Sequence, residues 1–559
     1  MNRARPRSSA VLLLLSLAMV ASGAPKAHSQ QEPSGEKPTA RRDPSPKAPG
    51  SHFETSDRCI ACHNGLSTST GEDVSIGVAW RTRMMANSAR DPYWIAGVRR
   101  EILDHPSAAA AIEDECTICH MPMMRYEEKL AGRKGEAFVH FPPNHGRRTD
   151  RLAEDGVSCS VCHQITAEKL GTRESFVGGF KVDETSGPGQ RQEYGPYEVD
   201  KGQVTIMRSS SGFKPARGEK VMRSSELCAT CHTLVTRALN EQGQEMGELP
   251  EQVPYQEWLH SRYKDSRSCQ SCHMPVVEEE VPIASVLGKP RPGSRRHTFV
   301  GGNFFMQRLL HRHRNDLGIA ALPDDLGEAA THTVAHLQSE AARITIGRAE
   351  IRGGRVEFEI AVENRSGHKL PTAYPSRRLW LHATVRARDG RVLFESGAFR
   401  PDGSIVGNDN DGDAARFEPH YEEITRPDEV QIYEAILHDP AGRVTTGLLT
   451  AVGFLKDNRL LPHGFDKSTA EAFVAVHGPA ETDPDFAGGG DTTRYSVDIG
   501  RGQGPFQVDA ELWYQPIAFR WAINLRRYEA AEPARFVRYF EDMAAGSGVV
   551  LARAAAVVE

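Results

Sequence analysis

Five copies of Cys-x-x-Cys-His account for every one of the ten cysteines in the chain. They are Cys59/Cys62/His63, Cys116/Cys119/His120, Cys159/Cys162/His163, Cys228/Cys231/His232 and Cys269/Cys272/His273. Two thiols at that spacing reach the two vinyl groups of one porphyrin and form thioethers, and the adjacent imidazole then lies under the iron as its proximal ligand. A single copy would also fit a redox dithiol or half of a zinc site. Neither of those, nor a framework of disulfides, requires a histidine after every second cysteine. The expectation is five covalently attached haem c groups, with the ten cysteines as anchors and His63, His120, His163, His232 and His273 as iron ligands.

Each iron needs a second axial ligand or remains open, and the chain has 22 histidines from which to supply it. His297 and His368 lead, because each sits near glycines that let a backbone approach a porphyrin face. His105 and His260 follow, each a short distance upstream of the next motif, with His140, then His52, His145 and His336, behind them. The motifs recur at roughly fifty residues per haem, which leaves little polypeptide for a separate core. Porphyrins stacked under short helices and long loops should form the interior there. Neighbouring irons suit electron transfer, with the protein setting spacing, ligation and burial.

A chain of 559 residues exceeds what one hydrophobic core usually accommodates. Arg3, Arg5 and Arg7, the apolar run Val11 to Val20 and small residues to Ala24 read as a secretory signal within residues 1–29. A Pro/Ser/Lys-rich linker follows over 30–50. The pentahaem region is assigned to 51–320, with Gly178 to Gly218 as loop or a hairpin, and a connecting helix to 321–345. From there the period changes to two. Val356, Phe358, Ile360 and Val362 alternate with polar neighbours, Gly353-Gly354 and Asp389-Gly390 mark turns, and Leu379 to Val385 alternates likewise. Further strands are expected at 430–438, 443–452, 494–499 and 506–514, giving a β-sandwich over 346–525. The C-terminal segment 526–559 is assigned as helical, with a short closing helix at Phe536 to Ala545. The fold class is therefore mixed: a mainly α and irregular multihaem cytochrome c domain followed by an all-β sandwich. Asn408 to Asp413 (NDNDGD) is acidic enough to suggest calcium, but its glycine is misplaced for an EF-hand and the closing Glu is missing.

Net charge is −6 with no long basic stripe, which argues against nucleic acid as a partner. No segment after the signal is apolar enough to span a bilayer. The expected location is the periplasm or the medium, with redox proteins as partners.

The region from Cys59 to Asn303 resembles the cytochrome c-554-like multihaem cytochromes, which are related to the haem arrangements of hydroxylamine oxidoreductase and multihaem nitrite reductase. The resemblance is carried by Trp80 with Met84-Met85-Ala86, by Asp91-Pro92-Tyr93-Trp94, and by Gly156-Val157-Ser158-Cys159. Cys269 to Pro275 and His297-Thr298-Phe299 with Gly301-Gly302-Asn303 extend it. Gly367-His368-Lys369-Leu370-Pro371-Thr372 looks like a sequence of multihaem cytochrome β-domains. The resemblance implies periplasmic electron transfer through closely packed haems, mostly with two histidines per iron. In the family pattern a distal histidine stands five residues after the tryptophan; here that residue is Met85, whose thioether is also a competent iron ligand. The leading reading is an electron relay. Its rival is an oxidoreductase acting on a small nitrogen or sulfur compound at one open haem. Against the rival, all five motifs end in His, and none carries the Lys found at the catalytic haem of one nitrite reductase class.

Overall fold

The computed structural model describes residues 51–141 and 148–559. The signal-like segment, the 30–50 linker and His145 lie outside the described residues. The chain mixes helices with several β-sheets.

Up to residue 320 most helices are short, and the longer ones have clear starts. Helix α1 (Pro92–Asp104) begins where the Asp91 carboxylate accepts the N–H groups of Tyr93 and Trp94 and Pro92 occupies the first turn. Helix α2 (Ala109–His120) runs into the second motif. The segment 178–218, expected to be loop or a hairpin, contains a helix (Lys201–Ser210) between two short strands that pair parallel (Gln192–Gly195 and Lys214–Arg217). Its start is a capping box between Asp200 and Gln203, a signal the Gly/Ser/Pro content of the segment obscured. Helix α3 (Pro254–Leu259) precedes the fifth motif, and α4 (Phe304–Arg312) buries Phe304, Phe305, Leu309 and Leu310. Helix α5 (Pro323–His336) has Pro in its first turn and Asp324 and Asp325 beside the positive end of its dipole.

Strands β1 (Ala342–Arg352) and β2 (Arg355–Asn364) form a hairpin whose turn residues Gly353 and Gly354 both take positive φ, as a two-residue hairpin requires. Next come β3 (Arg378–Arg386), β4 (Val392–Ser396), β5 (Ile432–Tyr433), β6 (Gly453–Asp457), β7 (Gly490–Asp498) and β8 (Phe506–Gln515). Helix α6 (Ala531–Met543) and strand β9 (Val549–Val558) end the chain. One sheet runs β5-β3-β8-β9 with β4 beside β3, and another runs β1-β2-β7 with the two-residue strand Glu423–Ile424 at its edge. Inward side chains of β2 (Val356, Phe358, Ile360, Val362) and of β3 and β8 share one apolar core with α4 and α6. The Phe394–Tyr495 ring contact joins the two sheets, and Phe358 stacks on Tyr495 at 4.9 Å.

Two expectations change. Residues 526–559 are helical only to Met543, and the Ala-rich end is strand β9, because pairing along β8 overrides the helix propensity of alanine. Of 443–452, only Val444–Thr445 is strand. The Glu101 carboxylate on α1 accepts the N–H groups of Leu448 and Leu449, and Arg100 donates to the Thr446 carbonyl. The backbone groups a sheet would use there are held by a helix instead.

Candidate functional site

Each motif sits in or against one helical turn, which sets the two cysteines on one side with the histidine next to them. Cys59 lies in Asp57–Ile60, Cys116 to His120 end α2, and Cys159–Cys162, Ser225–Ala229 and Cys269–His273 are short turns of the same kind. All ten thiols are free. Motifs distant in sequence meet in space. The Cys59 thiol contacts that of Cys159, Cys119 contacts Cys231, and Cys228 contacts Cys269. The hydrogen bond to Cys159, ahead of burial, holds the Cys59 thiol well above its usual pKa, while burial, helped by the nearby Cys231 and Cys159, pushes Cys162 up to about 12. The contacts run from the first motif to the third and from the fourth to both the second and the fifth.

Among the described residues, Cys62, Cys116, Cys162 and Cys272 lie outside these three pairs. Cys62 falls beyond the end of Asp57–Ile60 and is half-buried; its backbone carbonyl is held by the N–H and hydroxyl of Ser285. Cys272 is exposed, with its sulfur 3.9 Å from the hydroxyl of the adjacent Ser271. Among the described residues, neither thiol hydrogen-bonds to a thiol of another motif.

Four of the five motif histidines aim Nδ1 at a backbone carbonyl: His63 at Ile283, His120 at Ser88, His163 at Tyr194 and His273 at Val300. A carbonyl only accepts, so each Nδ1 carries the proton and Nε2 keeps its lone pair. Burial lowers the pKa of His120 and His232 to about 4, so both rings are neutral at pH 7. His232 nevertheless remains accessible at its surface. The two facts agree if the side chain lines a cleft walled by protein.

Two further histidines face this set. His297 lies parallel to His163 with ring centroids 6.5 Å apart and 18° between planes; His368 lies parallel to His273 at 6.2 Å and 15°. Two imidazoles whose nitrogens are each about 2 Å from one metal have centroids about 6 Å apart, so both pairs match the spacing of axial ligands on a shared iron. His297 Nδ1 donates to the Arg295 carbonyl and His368 Nδ1 to that of Lys369, again leaving Nε2 open.

The other sequence candidates are placed differently. His105 is 4% exposed, with Nδ1 against the Asn240 carbonyl and Nε2 against Thr450 Oγ1, so both ring nitrogens already have polar partners. His260 packs on Phe465. Met85 is half-buried, and its carbonyl accepts the Val157 N–H. None of the three forms a ring or sulfur contact with a motif histidine among the described residues. His140 is buried with Nδ1 on Asp150, and His52 faces Glu127.

Two features escaped the sequence reading. Trp94 stacks on His120 with centroids 4.3 Å apart and planes within 3°. One turn on, in the middle of α1, a Cβ on Gly97 would meet no atom within 4 Å, although Ala96 and Val98 are buried. Glycine at mid-helix costs about 1 kcal/mol against alanine, so an open glycine beside Trp94 fits a flat group lying across the helix. The i, i+3 spacing of Trp94 and Gly97 was the available signal. Thiols in pairs, imidazoles with free Nε2, parallel rings at axial spacing and an open glycine face together suit haem c. Two buried acids border the motifs: burial pushes Glu251, near Cys116 and Cys119, to about 7, and Glu193, near Cys59, to about 8.

Two other polar clusters read as structural. In the NDNDGD loop, Arg378 takes both carboxylate oxygens of Asp411, and Arg416 pairs with Asp409. Those oxygens are committed to cations the protein itself supplies. His420, Asp483 and Asp491 lie close enough to hold an ion. The amides of Gln431 and Asn458, however, both donate into His420 Nδ1 at 3.0 Å. Their orientation is set by the Tyr421 and Glu434 N–H groups on their oxygens. The proton is therefore on Nε2, which donates to Asp483 at 2.9 Å and has no lone pair for a metal.

No protein-family model matches the chain, and no curated protein matches it. Among solved structures it is similar to a penta-heme cytochrome c552 from Thermochromatium tepidum, with TM-score 0.51 and 16% sequence identity over 91% of this chain and 100% of the other. The likeness is one of fold: this chain is built like a multihaem cytochrome.

Proposed function

We propose that the chain is a pentahaem c-type cytochrome that passes electrons between redox proteins outside the cytoplasmic membrane. The observation that carries the proposal is the pair of parallel imidazole sets, His163 with His297 and His273 with His368, each at axial spacing. Haem iron supplies one-electron chemistry by cycling between Fe(III) and Fe(II). The protein's own groups do the rest. The ten thiols anchor the porphyrins, carbonyls on Nδ1 orient the proximal rings, and His297 and His368 close two irons against exogenous ligands. The contacts between motif thiols set neighbouring haems near one another, as a relay needs. Export rests on the N-terminal charge and apolar pattern alone.

Low-spin spectroscopy and carbon monoxide binding test this reading. His297→Ala and His368→Ala should each open one iron, adding one high-spin, carbon monoxide-binding haem to a protein that otherwise keeps its count. Spectra unchanged by both substitutions would remove the bis-histidine relay. The oxidoreductase reading would then lead, with nitrite, hydroxylamine and sulfite as first substrates.

A further inference from the structure

Four charged side chains are buried around the loop that carries His368, and they close on one another. Glu257 comes from α3 in the motif region, Lys369 follows His368, Asp457 ends β6, and Arg459 stands two residues beyond. Asp457 accepts from Lys369 Nζ at 2.7 Å and from Arg459 Nε and Nη2 at 2.8 and 2.7 Å. Lys369 Nζ also donates to the Ala475 carbonyl at 3.0 Å. Arg459 Nη1 faces Glu257 Oε1 as an ion pair at 3.1 Å. Glu257 Oε2 accepts the backbone N–H of Lys369 at 3.1 Å and the Thr372 hydroxyl. Two positive and two negative charges thus balance out of contact with solvent.

Apolar residues of similar volume would often hold such a loop as stably, so a buried quartet makes better sense where one exact placement matters. What it places is the backbone around an imidazole. Glu257 grips the N–H that follows His368, while the His368 carbonyl accepts from Asn364 and Ser366. Leu370 and Leu460 exchange both backbone bonds at 2.9 Å just beyond. A Cβ built on Gly367 would meet Tyr263 at 3.5 Å and Trp258 at 3.6 Å, so the loop runs beside the segment that leads into the fifth motif. The peptide on either side of the ring is fixed from both regions of the chain.

We propose that Glu257 is a positioning residue for the sixth ligand of the fifth haem: it seats His368 opposite His273, so that docking of the β region and closure of that iron are one event. The proposal rests on the reading of His368 as an iron ligand. Its test compares the holoprotein carrying Glu257→Gln with the parent and with His368→Ala, by electron paramagnetic resonance and carbon monoxide difference spectra. Glutamine keeps the size but no longer balances Arg459. The expected result is one partly high-spin haem, with carbon monoxide binding several-fold above the parent and below His368→Ala. Added imidazole should restore the low-spin spectrum. Thr372→Val removes a single hydrogen bond from the same carboxylate, should shift the same signals less, and serves if Glu257→Gln does not fold. A Glu257→Gln protein of lowered thermal stability whose haems all stay low-spin and silent to carbon monoxide would show the quartet to be structural and overturn the proposal. If His368→Ala itself changes nothing, the ligand assignment falls first and the positioning role goes with it.

Discussion

The motif region and the sheets from Ala342 onward solve the problem of an interior differently. In the sheets the interior is made of side chains: Val356, Phe358, Ile360, Leu379, Leu381, Val508 and Leu512 are all at most 2% exposed, and those of β2 alternate with half-buried neighbours. Around the motifs, nine of the ten cysteines are only partly buried and Cys272 is exposed. The helical turns holding them are often four or five residues long, and much of the backbone is loop. On the proposed reading, the second interior is organised around haems that the side chains border but do not fill. The same chain then contains one region whose stability is written in residue patterns and another whose stability depends on what the residues hold.

Phe358→Ala probes the first kind of interior. A buried phenylalanine truncated in a close-packed core costs about 3–5 kcal/mol, read from denaturant midpoints, while haems anchored as proposed should stay in place. A loss near zero would mean that the sheet core is looser than its burial implies.

Gly97→Ala probes the second. Helix propensity alone predicts a gain of about 1 kcal/mol. A methyl group pressed against a planar group predicts the reverse, a lower Tm in the holoprotein. A rise in Tm would show that nothing covers that face of α1.

The smallest effect belongs to the sheet surface. Burial alone would lower the His382 pKa, but its bonds to Glu511 and Glu395 outweigh burial and raise it above 6.5. Its contribution is complete below 6.5 and is lost as pH rises through the raised folded value. Glu511, held down to about 2 first by His382, contributes above 4.5 and loses that contribution as pH falls toward 2. Stability should therefore be highest between these limits, and Glu395→Gln should flatten the alkaline side. For so exposed a pair the effect is on the order of 0.5 kcal/mol.

What was legible follows the same division. Strand β2 was readable because alternation and a Gly-Gly turn are local properties. The motif triplets were readable because thioether attachment needs residues adjacent in sequence. Which thiols meet across motifs was not readable, since identical spacing says nothing of which thiol turns toward a neighbouring motif. His297 and His368 stood out by their neighbouring glycines, and the structure sets each opposite a motif histidine. His105 and His260 looked equivalent by spacing, yet position along the chain does not tell which rings turn toward a cleft. Glu257 was invisible, because its role depends on Arg459 and Lys369, which are brought to it only by the fold. The strand expected over 443–452 failed for a similar reason, since Glu101 on α1 takes its N–H groups.

The central claim is that all five motifs carry covalent haem, and the intact mass of the denatured protein tests it most directly. Protein made in a host with haem-attachment machinery should retain five haems after acid denaturation and expose no titratable thiol. A protein carrying three or fewer, with the remaining cysteines free or paired as disulfides, would contradict the account.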